Sequence, residues 1–211
     1  MKTAEKSGNK LKIIEIALLI GLAAFLASGA LALRTQDDLA DKVVRLHVLA
    51  NSDSEEDQAL KLRVRDVVLE RATELLEQSA DRGEAEGLLR GQLLELERIA
   101  AEEIRACGYD YPVTAQLTNT EFPTKEYDGF TLPAGEYLAL RIIIGEGGGQ
   151  NWWCVVFPPL CTAASADVPA SALAAGLSRE QVGLITEENQ GYVLKFKAVE
   201  WWEQVREYWE T

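Results

Sequence analysis

The sequence predicts an α+β fold: a single domain with a mostly antiparallel sheet covered by an αα-hairpin, preceded by an N-terminal hydrophobic helix. Three observations predict it. An apolar run with lysines upstream occupies the N-terminal region. Residues 52–107 carry apolar side chains at helical spacing. From Gly108 the pattern changes to strands punctuated by turn residues.

Residues 13–33 read IIEIALLIGLAAFLASGALAL, and Ile16 to Leu33 is free of charge. A basic flank, an apolar run and small residues at its end make a secretory signal. Ala30-Leu31-Ala32 and Ser28-Gly29-Ala30 are candidate cleavage sites. The run is also near the length of a membrane span. Residues 1–33 are therefore read as a signal peptide or membrane anchor, and 34–42 as a polar linker. Residues 43–161 form the α+β domain, and 162–211 a C-terminal extension with a strand and an aromatic helix.

Val43–Ala50 is rich in β-formers and reads as the first strand. A helix follows. Ser52 stands three residues before Glu55, a capping-box spacing, and Leu60, Val64, Val67, Val68, Leu75 and Leu76 supply an apolar stripe. A second helix spans 84–107 with Leu88, Leu89, Leu93, Leu96, Ile99 and Ile104 inward, ended by Gly108. Strands are expected at Pro112–Leu117, Glu136–Gly145 and Asn151–Phe157. The last two are expected to form a hairpin through Glu146-Gly147-Gly148-Gly149-Gln150. Residues 118–135 read as a turn-dense loop. Pro169–Gly176 and Ser178–Leu184 are short helices, Tyr192–Lys197 a strand and Ala198–Trp209 an acidic aromatic helix.

The chain holds 21 Lys+Arg and 34 Asp+Glu, a net charge of −13. Residues 1–32 contribute four lysines and two glutamates, leaving 17 basic against 32 acidic side chains and −15 for the remainder. A surface that negative repels phosphate backbones, which argues against nucleic acid as a partner.

The sole histidine, His47, lies in the first predicted strand, with Arg45 and Leu49 on the same face. His47, Asn51, Asp53 and Asp57 match no metal-ligand spacing, and no cofactor or metal is expected. Asn51, Ser52 and Asp53 read as turn and cap residues. No spacing of carboxylates selects a general acid and base, so no catalytic residue is assigned. Cys154 and Cys161 flank a Pro-Pro turn and can reach bridging distance, with free thiols the alternative. Two places read as partner-binding surface: Asn119, Phe122, Tyr127, Asp128 and Phe130 in the turn-dense segment, and Trp152-Trp153, which a strand directs to opposite faces.

The runs RLHVLANSDSEEDQALKLRVRD (Arg45–Asp66), LTNTEFPTKEYDGFTLPAGEYLALRIIIGEG (Leu117–Gly147) and NWWCVVFPPLC (Asn151–Cys161) closely resemble the stage II sporulation protein R family of endospore formers. The resemblance spans most of 43–161. It implies an intercellular signal, not an enzyme, made in the forespore and exported to the space between the two membranes. There it would be required to activate a membrane-embedded aspartic protease, stage II sporulation protein GA, which processes the pro-form of mother-cell sigma factor E. The membrane would be met through the N-terminal segment, before or without cleavage. The alternative is a secreted hydrolase acting on cell wall, with His47 and Asp53 in its site.

Overall fold

The computed structural model describes residues 16, 18–23, 34, 36–77, 79–161 and 167–186. They fall into two units, Met1–Asp38 and Leu39–Thr211. In the first, residues 18–23 are helical and expose Leu18, Leu19, Ile20 and Leu22. Among the described residues no helix is long and apolar enough to cross a membrane. Most of the expected export segment, both candidate cleavage sites, the strand at 192–197 and the helix at 198–209 lie outside the described residues.

The second unit runs β1 (Val44–Leu49), α1 (Glu55–Leu76), α2 (Arg82–Gly91), α3 (Leu93–Ala106), β2 (Val113–Phe122), β3 (Lys125–Tyr127), β4 (Phe130–Leu132), β5 (Gly135–Ile144), β6 (Asn151–Phe157), α4 (Val168–Ala174) and α5 (Arg179–Ile185). The main sheet has the order β2-β5-β1-β6, and β3 pairs with β4 in a separate ribbon. Only β1–β5 is parallel; β2–β5 and β1–β6 are antiparallel. The architecture is thus α+β with a mostly antiparallel sheet.

Helix α1 begins where Ser54 accepts from Asp57 N at 3.1 Å. The cap is therefore Ser54 and not Ser52, whose hydroxyl donates to Asp57 Oδ2 instead. The first turn is acidic, which suits the positive end of the helix dipole. Leu60, Val64, Val68, Ala72 and Leu76 fall on its buried stripe. The single helix expected over 84–107 is two, α2 and α3. They meet at Gln92, whose ψ of 9° leaves the helical region. Gly87 and Gly91 weaken the first of the pair, because glycine is a poor helix former. Leu88 is exposed, and Ala85, Leu89, Leu96, Ala100 and Ile104 make the inward stripe. After α3, Gly108 takes φ +85°, and Tyr109 N returns to Ile104 O, a left-handed termination that glycine favours.

These helices cover one sheet face. Val44, Leu46, Val48, Leu138, Leu140, Ile142, Cys154 and Val156 join them in one buried cluster. A second cluster lies on the other face and gathers Leu39, Val43, Phe122, Phe130, Leu132, Tyr137 and residues of α4 and α5. Residues 34–42 are thus more than a polar linker. Leu39 is fully buried, and Lys42 Nζ donates to Gly176 O and Gln181 Oε1, both at 3.0 Å. Packing likewise continues past residue 161 through Val168, Ala172, Val182 and Ile185.

Strands β5 and β6 do not form the expected hairpin. β1 lies between them, so the glycine-rich loop 145–150 must cross the end of β1. It closes on the turn after that strand. Gly148 N donates to Asn51 O, Gly149 N to Ala50 O, Glu146 N to Asn51 Oδ1 and Gln150 N to Asp53 Oδ1. A Cβ on Gly149 would stand 2.2 Å from Ser52 O, a backbone atom that cannot swing aside. A Cβ on Gly87, in the middle of α2, would meet nothing within 4 Å. Gly149→Ala is therefore expected to cost about 1–3 kcal/mol in urea unfolding, and Gly87→Ala to gain up to about 1 kcal/mol. Equal stabilities of the two variants would contradict this account of the loop.

Candidate partner-binding face

The sheet face turned away from α1–α3 carries the polar chemistry. Arg45 leaves β1 on this side and is fully buried. Its Cζ stands 3.9 Å from the centre of the Phe122 ring and 4.9 Å from that of Tyr137. One guanidinium nitrogen donates to Tyr127 Oη at 2.8 Å. Nε and Nη1 are buried without a partner among the described residues. Burial pulls the Arg45 pKa below its ordinary value, opposed by the two tyrosines. Burial likewise raises both phenols, Tyr127 and Tyr137. The Tyr137 hydroxyl is anchored, donating to Pro133 O at 2.8 Å.

His47 is two residues further along β1, on the same face. β1 is a central strand, and His47 faces away from the helices. Its ring centre lies 5.7 Å from Phe122 and 5.9 Å from Trp153. Nε2 meets Asn151 Oδ1 at 2.8 Å. Trp153 packs edge-on against Phe122 at 6.3 Å, with Lys125 Nζ 5.6 Å above its ring. Phe122 is the hub of this group.

The structure therefore brings Phe122, Tyr127, Phe130 and Trp153 together, but not as an exposed loop. Phe122 and Phe130 are 3% and 2% exposed, so neither is free to contact a partner. The expected loop is largely strand. Its alternation sends these rings inward, where they cover Arg45 and the second core. Tyr127 stacks on Phe130 at 4.6 Å. Asp128 is exposed at the β3–β4 turn. Asn119 leaves β2 on the opposite face, exposed and bonded to Glu136. Trp152 also turns to the helical side, where the Arg65 guanidinium lies 4.8 Å over its ring. Lys125 and Trp153, both half-buried, and Asp128 thus form the accessible rim. Cys154 and Cys161 are joined in a disulfide, Cα–Cα 6.0 Å, which ties β6 to the chain beyond it.

The residues weighed for metal binding or hydrolysis are engaged elsewhere. Asp57 accepts from Ser52 Oγ and Asn51 Nδ2, and these bonds, Ser52 first, hold its carboxyl below the usual range. Asp53 accepts from Gln150 N, whereas His47 engages Asn151. The feature that sequence reasoning passed over was Arg45. A cation two positions from the histidine on one face of an otherwise apolar strand was the available signal.

A disulfide-bridged α+β unit with two cores, one sealed by helices and one built around a caged arginine, is the kind of domain these residues define. The family model of stage II sporulation protein R matches residues 40–167, and the chain belongs to that family. Stage II sporulation protein R of Bacillus subtilis (strain 168) is 42% identical over 123 residues, which cover 58% of this chain and 55% of that protein. The chain thus spans about half the length of this curated relative. No solved structure matches it.

Burial holds the His47 pKa below its ordinary value, with Arg141 and Arg45 adding to the effect and the Asn151 bond opposing it. A depressed histidine is neutral when folded and takes up its proton on unfolding. Its contribution is complete above the unfolded value of about 6.5 and is lost as pH falls below it. The melting temperature is expected to drop from pH 7 to 5.5, with a shallower slope in His47→Gln, since the chain has one histidine. Identical slopes would show that His47 is not the group responsible.

Proposed function

We propose that this sporulation protein is an exported signal that activates a membrane-embedded aspartic protease, stage II sporulation protein GA, and so drives processing of the pro-form of sigma factor E. Family membership over residues 40–167 carries the reading. Three features accord with it. The N-terminal region pairs four lysines with an apolar run. The Cys154–Cys161 bridge suits an oxidising compartment outside the cytoplasm. The accessible rim sets an aromatic ring, Trp153, beside Lys125, and aromatic residues are enriched at contact surfaces. Such a signal acts by binding the active state of the protease more tightly than the resting one. On this reading the protein performs no hydrolysis itself.

The test is reconstitution in a non-sporulating host: the full chain, directed outside the cytoplasm, with the protease and its pro-sigma substrate. Processing scored by blot is expected to require this chain. Cleavage that proceeds equally without it, or fails although the exported chain is folded, would overturn the reading.

A further inference from the structure

We propose that the donors gathered on the sheet face opposite the helices, Arg45, His47, Arg141 and Trp153, form a carboxylate-binding site. The inference does not depend on which partner the protein has.

Register places the group. Arg141 on β5 and Trp153 on β6 are both direct neighbours of His47 on β1. Neighbours at one level of a sheet project to the same side, so the three side chains form a row across three strands. Arg45 stands one step along on the same face. The row is rich in nitrogen and short of acceptors. Arg45 Nε and Nη1, Arg141 Nε, Trp153 Nε1 and His47 Nδ1 are all buried without a hydrogen-bond partner among the described residues. Arg45 is fully buried and His47 is 7% exposed. An unsatisfied buried donor costs about 1–3 kcal/mol, more when charged, so the four N–H donors of Arg45, Arg141 and Trp153 call for an acceptor. His47 Nδ1 is unprotonated while Nε2 donates to Asn151, and joins them only on gaining a proton.

The acceptor is anionic because this face has been cleared of acid. The chain holds 34 Asp and Glu. None occupies an inward position of β1, β2, β3, β5 or β6. Strand alternation turns Glu121, Glu126 and Glu136 away, because Phe122, Tyr127 and Tyr137 beside them point in. The ion pairs among the described residues all lie on α1–α3. Charges facing His47 are therefore Arg45 from its own strand and Arg141 from β5, with Lys125 on the far side of Trp153. A carboxylate fits this set better than a halide. Its two oxygens can take a guanidinium nitrogen and the indole N–H together, while a proton gained at His47 Nδ1 adds a third donor.

Two sources could supply the group. One is a partner protein. The other is this chain, whose residues 187–211 include Glu187, Glu188, Glu200, Glu203, Glu207 and Glu210. Because the chain has one histidine, its imidazole signals in NMR are unambiguous. The full chain would be titrated with acetate against chloride at equal ionic strength. A saturable movement of the His47 signals with acetate alone is expected. It should be about tenfold weaker in Trp153→Phe, which keeps the ring and removes one charge-assisted bond, and absent in Arg141→Gln. The same titration of a variant with those six glutamates changed to glutamine separates the sources. A silent wild type with a responsive variant means that the chain fills the site itself. Silence in both, or a response that survives Arg141→Gln in folded protein, overturns the proposal.

Discussion

The guanidinium of Arg45 sets the terms for one half of this molecule. It is fully buried and pairs with no carboxylate among the described residues. Taking a charge out of water costs several kcal/mol unless other groups replace the water. Here the replacements are Tyr127 Oη and the faces of Phe122 and Tyr137. Stacking of this kind suits arginine, which is planar and more weakly hydrated than lysine. Holding those rings in place requires β2 and β5 to run to their ends and the β3–β4 ribbon to fold over the sheet. The second core follows from that covering, with α4 and α5 closing it.

The other half obeys simpler rules. Strand β1 is central and apolar on its helical side, so α1–α3 pack on it as amphipathic helices pack on any sheet. Its two neighbours run in opposite senses, which the connections have to accommodate. The link between β5 and β6 passes over the end of β1, and Gly145, Gly148 and Gly149 let its backbone approach Asn51 and Ser52 closely. The NSDS turn and the glycine run are one device, each supplying hydrogen-bond partners for the other.

What the sequence disclosed follows this division. Period and capping residues placed β1, β6 and the short helices α4 and α5 within a residue or two, because those signals are local, and apolar period found α1 though not its cap. The Gly108 stop was equally clear. The break at Gln92 was not, since Leu89 and Leu96 keep helical phase across it. The β5–β6 hairpin was misjudged because nothing local reveals that a strand more than 90 residues earlier inserts between the two. For the candidate site, the aromatic residues of 119–135 were found but their direction was inverted. Turn residues such as Pro123 and Gly129 implied an exposed loop, while alternation within β2 and β4 carried Phe122 and Phe130 inward. Phe122 turns in onto Arg45, a long-range partner that no window of sequence contains, and Phe130 onto Tyr127, which bonds the same arginine.

The same arrangement locates the accessible part of the face at Trp153, Lys125 and the turn at Asp128, on the side away from α1–α3. The helical side offers a contrasting position in Leu94 on α3, which is 83% exposed. A photo-crosslinking residue placed at position 128 or at position 94 of the full chain, expressed with the proposed protease partner, separates the two surfaces. An adduct with that protease is expected from position 128 and none from position 94. An adduct from position 94 alone would contradict it and move the contact surface to the helices.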